Sequence, residues 1–507
     1  MLSKLPPSAS QKPPVIMLCG PKSSGKSTFA KLLANRMLSS YQQKQADPSS
    51  ATQKVPGVAL LDLDPGQPEY SSPGQISLIH ITEPNFAPPY SHPMPGNQSR
   101  TIRAHAIGAV SPSSDPNFYM SCALDLFAHY RNLLSLVPGC PLIINTAGWV
   151  LGTGLELLVD LISGTRPTNV IYMSQDGPSE VVESLREAAK GIPLYTLPSQ
   201  VSEYTTRTAA HLRTMQSMSY FHLDPKSLDT QRKEHLSWSG VPLTSVPPWE
   251  IRYSGETPGI LGIICYGEQP PADLLADTIN GSILSVVVIE DMTAIPGWDA
   301  EIKDSLHEDA QTDDAQTSDA SPQDPKPRSF IEKDEPQHLE RPLILRTPEN
   351  ISYFNPSNTI TLNPKYSYTI GSVLVRGIDS KRKRLQVLTP IPASTIAEIS
   401  EAGKSIVLVS GKIDTPGWAY IEELVQKTAL EKAAKRQNGV VVGNDEEVEV
   451  DGVENEDVDM EEGEKTSLGE GFSDAPWVET LTGSQGRGVG ARVWRVRRDL
   501  GRTGDGD

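Results

Sequence analysis

The stretch "VIMLCGPKSSGKST" occupies residues 15–28, and its two halves ask for different structures. Val15–Cys19 is a short unbroken apolar run, the mark of a strand buried on both faces. Gly20, Gly25, Lys26 and Ser27 then satisfy G-x-x-x-x-G-K-[ST]. In that pattern the glycines let the backbone wrap phosphate groups, the lysine neutralises their charge, and the Ser hydroxyl can meet Mg²⁺. Beyond the loop, Phe29, Leu32, Leu33 and Met37 fall at helical spacing. The helix they predict would aim its N-terminus at the phosphates. All of Gly20, Pro21, Lys22, Ser23, Ser24, Gly25, Lys26, Ser27 and Thr28 are therefore candidate nucleotide contacts.

Working outward, "VALLDLD" (58–64), "PLIIN" (141–145) and "NVIYM" (169–173) repeat the apolar-run pattern, with amphipathic stretches between them. The expected fold class is α/β: a P-loop NTPase parallel sheet with helices on both faces. From about Trp249 the runs become "GILGIICYGE", "SILSVVVIED", "GSVLVRGID", "LQVLTPI" and "SIVLVSGKI", without long helices between them. They predict a smaller, mostly β C-terminal domain. The expected organisation is a polar arm (1–14), a P-loop domain (15–240), the β domain (241–435), an acidic linker (436–475) and a basic tail (476–507). Disordered acidic insertions are expected at about 300–340 and in the linker. Residues 445–464 alone hold twelve acidic side chains in twenty.

The 507 residues carry a formal net charge of −18. That balance argues against a wholly basic, polyanion-binding surface but allows a local basic groove. The four cysteines, Cys19, Cys122, Cys140 and Cys265, form no C-x-x-C pair. They read as buried reduced thiols rather than a zinc site. No apolar run precedes Pro14, so no signal peptide is expected. No run of about 18 apolar residues suggests a membrane span.

Which group accepts the phosphate is the next question. A GTPase would need N-K-x-D, and the chain has no Asn-Lys pair. Hydrolysis would commonly place an Asp at the end of another core strand. "PLIIN-TAGW" ends instead in Asn145 and Thr146. The run "LLDLDPGQPEY" does end in carboxylates, Asp62 and Asp64. Two apart on a strand, they would share one face. On a strand neighbouring the P-loop strand they would point into the phosphate crevice, where a carboxylate can orient Mg²⁺ and accept a proton from an attacking hydroxyl. That is the layout of a kinase.

"GPKSSGKSTFA", "LDLDPGQPEYSSPGQISL", "NTAGWVLGTG" and "RTAAHLRTMQSMSYFH", in that order, resemble the polynucleotide 5′-hydroxyl kinases, and within them the fungal branch that processes pre-ribosomal RNA. "SGKIDTPGWAYIEEL" (410–424) and "PWVETLTGSQGRGVGARVWRVRRDLG" (476–501) extend the likeness to nearly the whole chain. The resemblance implies ATP and Mg²⁺ as cofactors, with Lys26 and Ser27 on the phosphates and the metal. It implies Asp64 as base and second metal contact, with Asp62 as helper. It makes Asn145, Thr146, Gly148 and Trp149 a clasp on the nucleic-acid end. Trp149 would stack on a terminal base, a contact worth ~1–3 kcal/mol. It places Arg207 and Arg213 in a lid over the transferring phosphate, while His211 and His222 read as structural.

The same resemblance implies RNA with a 5′-hydroxyl end as substrate. It implies a HEPN-type endoribonuclease partner reached by the tail through Arg492, Trp494 and Arg495, and work in the nucleus and nucleolus. "KRKR" (381–384) fits either a nuclear import signal or a solvated hairpin turn. Family members carry a β-rich domain before the P-loop. Here nineteen residues precede Gly20, so either the sequence is a truncated gene model or this member lacks that cover. Two other readings remain open: an ATP-binding scaffold of an RNA-processing complex, and a small-molecule kinase, which would leave the β domain and basic tail unexplained.

Overall fold

The computed structural model describes residues 12–45, 56–96, 99–174, 177–200, 207–225, 236–296, 298, 344–354, 361–424 and 427. The expected insertions, the acidic linker and the tail residues Arg492, Trp494 and Arg495 lie outside the described residues.

Two sheets organise the chain. The first contains β1 (Val15–Cys19), β2 (Val58–Leu63), β3 (Gln75–Ile81), β4 (Ser99–Ala106), β5 (Leu142–Thr146), β6 (Asn169–Met173) and β7 (Leu194–Leu197), in the spatial order β4-β3-β2-β5-β1-β6-β7. The five strands from β2 to β7 in that order run parallel, as the apolar runs predict. The other two strands depart from the expectation. β3 is antiparallel to β2, and β4 to β3, so the sheet is mixed. A turn closed by the Gly74 N–H on the Pro65 carbonyl (2.8 Å) sends the chain back beside β2. That reversal allows the antiparallel pairing.

Alternation along each strand divides the core. Ile16, Leu18, Leu60, Ile143 and Ile171 face α1 (Lys26–Gln45), whose packing stripe is Ala30, Leu33, Ala34, Met37 and Leu38. Leu32, expected on that stripe, is 58% exposed. Its position in the turn carries it to the solvent side. Met17, Cys19, Leu61, Ile144 and Tyr172 face the opposite way, toward α2 (Pro116–Leu136), α3 (Thr153–Thr165) and α4 (Ser179–Ala188). Helices thus cover both faces. All four cysteines are free and buried.

Next come α5 (Ala209–Phe221) and a second sheet of β8 (Trp249–Arg252), β9 (Gly262–Cys265), β10 (Ile283–Ile289), β11 (Ile344–Arg346), β12 (Ser352–Phe354), β13 (Ser367–Asp379), β14 (Arg384–Leu388) and β15 (Ser405–Ser410). Their order is β11-β12-β9-β15-β10-β13-β14-β8. One face is covered by the short helices α6 (Leu275–Ile279) and α7 (Ala393–Glu401), around Ile263, Leu284, Val375 and Leu408. The other face, through Val287, Ile289, Val407 and Val409, joins the same apolar core as α2 and the first sheet. Phe118 meets Tyr266 edge-on at 5.2 Å between ring centroids.

Buried Arg103 on β4 reinforces this junction. Its guanidinium reaches Asp125 (3.0 Å) and Glu290 (2.9 Å) and donates to the carbonyls of Pro364 (2.8 Å) and Ser367 (2.9 Å). "KRKR" forms the turn of the β13–β14 hairpin, with the Asp379 carboxylate accepting from the N–H groups of Lys381 and Arg382. Among the described residues no helix is long and apolar enough to cross a membrane.

Candidate active site

β1 delivers the chain to the loop at Gly20, and α1 opens at Lys26. Gly20 stands at φ 147°, Gly25 at φ 92° and Ser23 at φ 64°. These are backbone conformations that residues with side chains rarely adopt. The loop therefore presents helix-terminal N–H groups to a concave space. Ser24 Oγ is buried there without a hydrogen-bond partner. Gln200, beyond β7, donates its N–H to the Ser24 carbonyl (3.0 Å) and closes one side of the loop. Lys26 is buried and donates from Nζ to the Pro21 carbonyl (2.9 Å). Burial pulls its pKa down, and the nearby Asp64 opposes that shift.

The carboxylates do not sit on the strand beside β1. β5 lies between β1 and β2, so Asp62 stands one strand further away than the sequence spacing suggests. Asn145, at the end of β5, spans that gap. Its Nδ2 donates to Asp62 Oδ1 (3.0 Å) and to Ser27 Oγ (3.2 Å). Asp62 Oδ2 accepts the Glu69 N–H (2.7 Å). Burial pushes the Asp62 carboxyl up to about 7 against those donors, and Asp64 adds repulsion. Asp64 Oδ1 accepts the Gly66 N–H (3.0 Å). Burial also raises the Asp64 carboxyl above its ordinary value, and Lys26 is the strongest opposing influence.

One buried oxygen beside this cluster has no partner: Asn145 Oδ1. With Ser27 Oγ and the Asp62 carboxylate it makes a set of hard oxygen donors, the chemistry that Mg²⁺ takes. Among the described residues no group of three or more His, Cys, Asp or Glu side chains gathers in a metal-binding arrangement. Mg²⁺ ordinarily uses one or two carboxylates together with phosphate oxygens and water. Ser27, Asp62 and Asn145 would hold it, with Asp64 two residues beyond Asp62.

The four clasp residues separate in the structure. Asn145 turns inward as described. Thr146 is buried and donates from Oγ1 to the Leu18 carbonyl (2.9 Å), tying β5 to β1. Both side chains make internal hydrogen bonds, because the end of β5 lies between β1 and β2. Gly148 packs on the phosphate loop itself: a Cβ there would lie 2.7 Å from Lys22 Cα. Trp149 is half-buried against the core next to α3, with Gly154 making room for its ring.

The lid residues also separate. Arg213 pairs through Nε with Asp414 (2.6 Å), on the segment after β15. It is thus engaged by the second sheet's side of the molecule. Arg207 is partly exposed just before Thr208, whose hydroxyl caps α5 by accepting the His211 N–H (3.2 Å). Buried Gln216 fixes α5 to the carboxylate loop by donating from Nε2 to the carbonyls of Pro68 and Ser71, each at 2.7 Å. His222 is buried between Ser239 and Glu422 (2.7 Å), a structural role.

The sequence does not announce the bridge made by Asn145, the Glu69 N–H on Asp62, the Gln216 anchor or the Lys31–Glu69 ion pair (2.6 Å) beside them. For Lys31 one signal was present: it stands four residues after Ser27, on the same helical face.

A glycine-framed loop between a central parallel strand and a helix, with carboxylates at the end of β2 two places away in the sheet, is the arrangement of a P-loop nucleotide-binding protein. Residues 20–223 match the family described as mRNA cleavage and polyadenylation factor CLP1 P-loop. The chain is 42% identical over 515 aligned residues to Polynucleotide 5′-hydroxyl-kinase GRC3 of Gibberella zeae, covering 100% of this chain and 63% of that protein. It is 39% identical over 435 residues to Polynucleotide 5′-hydroxyl-kinase grc3 of Aspergillus clavatus, covering 82% and 51%. A solved structure of a wild-type Clp1p–Pcf11p complex superposes at a TM-score of 0.47 and 15% identity, over 81% of this chain and 76% of that one. Along its whole length the chain is thus similar to fungal proteins that carry the name polynucleotide 5′-hydroxyl-kinase GRC3. It spans between about half and two thirds of the length of these two curated relatives.

Proposed function

We propose that the chain transfers the γ-phosphate of ATP to the 5′-hydroxyl of RNA. The observation that carries this reading is the placement of Asp64 just beyond β2: its carboxyl accepts the Gly66 N–H and is near enough to Lys26 at the phosphate loop for their charges to interact. The names of the curated relatives support it. ATP phosphates would lie along the N–H groups of residues 20–28, with Lys26 released from Pro21 to neutralise them. Mg²⁺, which Ser27, Asp62 and Asn145 would hold, would neutralise charge on the phosphates. Asp64 takes the proton of the 5′-hydroxyl as its oxygen bonds to the γ-phosphorus and the bond to the β-phosphate oxygen breaks, leaving ADP. A raised carboxyl pKa suits a base that must accept a proton near neutral pH. Trp149 and Gly148, beside Lys22, are the clasp residues left to receive the terminal nucleotide.

We further propose that the substrate end arises in ribosomal RNA spacer processing, in the nucleolus, where a HEPN-type endoribonuclease leaves the 5′-hydroxyl. The segments 410–424 and 476–501, through which the chain resembles that branch, support this. A second reading, an ATP-binding scaffold with weak catalysis, is favoured by one observation: Arg213 is paired with Asp414. The two readings separate when γ-labelled ATP is given to the protein with a 5′-hydroxyl RNA oligonucleotide, alone and with the endoribonuclease. Label on RNA supports the kinase. Bound ATP without transfer in either mixture supports the scaffold.

A further inference from the structure

Behind the carboxylates lies a second polar layer that the phosphoryl-transfer scheme does not use. Glu69 is 7% exposed, and two side chains converge on one oxygen of its carboxylate: Lys31 Nζ stands 2.6 Å from Oε1, and His92 Nε2 stands 2.9 Å from it. Lys31 comes from α1, one turn after Ser27, and also donates to the Ala87 carbonyl (2.7 Å). His92 comes from the connection between β3 and β4. Asn35 and Asn85 tie that connection to α1, with the Asn85 N–H donating to Asn35 Oδ1 (2.8 Å) and Asn35 Nδ2 to the Asn85 carbonyl. The Glu69 side chain is therefore anchored to the helix that begins at the phosphate loop. Its own backbone N–H holds Asp62 Oδ2 at 2.7 Å. Ser27, Lys31, Asp62, Glu69, Asn85 and Asn145 line one small cavity between α1 and the carboxylate loop.

We infer that Glu69 is a positioning residue for the cation site. Clamped by Lys31 and His92, it fixes the N–H that orients Asp62, so that the carboxylate keeps register with Ser27 and Asn145. It also neutralises the Lys31 ammonium, which would otherwise stand unpaired in the cavity shared with Ser27 and Asp62 and repel a divalent cation. Burying an ion pair is weak evidence for stability in itself. Its consequence here is geometric and electrostatic, and it reaches a ligand through one hydrogen bond, the relation in which outer partners tune metal affinity about 10–100-fold.

This inference rests on the cation site used in the proposed function, and its test uses no RNA. ATP binding to the full chain is followed by thermal shift over a Mg²⁺ titration, and without Mg²⁺, for the parent, Glu69→Gln and Lys31→Gln. Glu69→Gln should raise the Mg²⁺ midpoint about tenfold or more, with metal-free ATP binding unchanged. Lys31→Gln, which leaves His92 on Glu69, should raise it by less. A Glu69→Gln midpoint within about twofold of the parent overturns the inference, as does an equal loss of metal-free and Mg²⁺-dependent binding. If Glu69→Gln does not fold, an unchanged Lys31→Gln midpoint overturns it. A parent that transfers no phosphate counts against the proposed function, while the midpoints still decide the role of Glu69.

Discussion

Arg213 of α5 donates to Asp414 across 2.6 Å, so the helix proposed to close over the phosphates is held by a carboxylate from the segment after β15. Asp414 is 47% exposed in its side chain. An ion pair so open to solvent contributes little stability, ~0–1 kcal/mol. Its importance is that Arg213 cannot serve Asp414 and a transferring phosphate at the same time. Asp414→Asn should leave the melting temperature nearly unchanged and keep or raise turnover. Arg213→Ala should lower turnover about 10²-fold, the scale for losing one charge-stabilising donor. Paired steady-state kinetics and melting curves check both.

Gly148 touches the phosphate loop more closely than any side chain would permit. Gly148→Ala should push Lys22 aside and weaken ATP binding, with the melting temperature less affected than the affinity. ATP titration by calorimetry reads this directly. Unchanged affinity would mean that the loop tolerates displacement at Lys22.

The Asp62 carboxyl, raised from 3.8 to about 7 by burial, sets the pH response of the cation site. A cation needs the carboxylate, so below about pH 7 it must displace a proton. Mg²⁺ affinity should therefore fall about tenfold per unit as the pH drops below that value, and level off above it. For the metal-free fold the sign is opposite. A folded pKa above the unfolded one means that this contribution is fully present at low pH and declines as the pH rises from about 4 to about 7. Mg²⁺ titrations and melting curves across that range and above it would reveal both trends.

Arg103 joins β4, α2 and the second sheet through ionic and carbonyl contacts that are largely out of solvent. Arg103→Ala leaves Asp125 with His105 and Glu290 with Lys404, but it strips the carbonyls of Pro364 and Ser367 of their donor and should destabilise the protein by about 1–3 kcal/mol. Denaturant unfolding should show a lower midpoint for that variant. A change below about 1 kcal/mol would show the junction to be held by its apolar contacts alone.

Much of the first sheet was legible because β1, β2, β5 and β6 are unbroken apolar runs, which is what burial on both faces demands. The β4 strand was not, since "SRTIRAHA" carries Arg100, Arg103 and His105 and looks like a continuation of the preceding polar loop. Burial of Arg103 and His105 depends on partners far away in sequence, Asp125 of α2 for both and Glu290 for Arg103, which no local pattern contains. The phosphate loop could be read residue by residue, since its chemistry is local. The job of Asn145 could not, because it depends on β5 lying between β1 and β2. Helical spacing also favoured Leu32 over Ala30 and Ala34, although small residues are what let α1 approach the sheet closely.

In the proposed reaction Asp64 and Lys26 act together on a phosphate moving to an RNA 5′-end. Its most direct test is single-turnover transfer from γ-labelled ATP to a 5′-hydroxyl RNA oligonucleotide by the parent, Lys26→Ala and Asp64→Asn proteins, with ATP binding measured on each. Label should reach the RNA in the parent and vanish in both variants, while Asp64→Asn still binds ATP. Transfer by Asp64→Asn at the parent's rate, or none by the parent with its endoribonuclease present, would contradict the account.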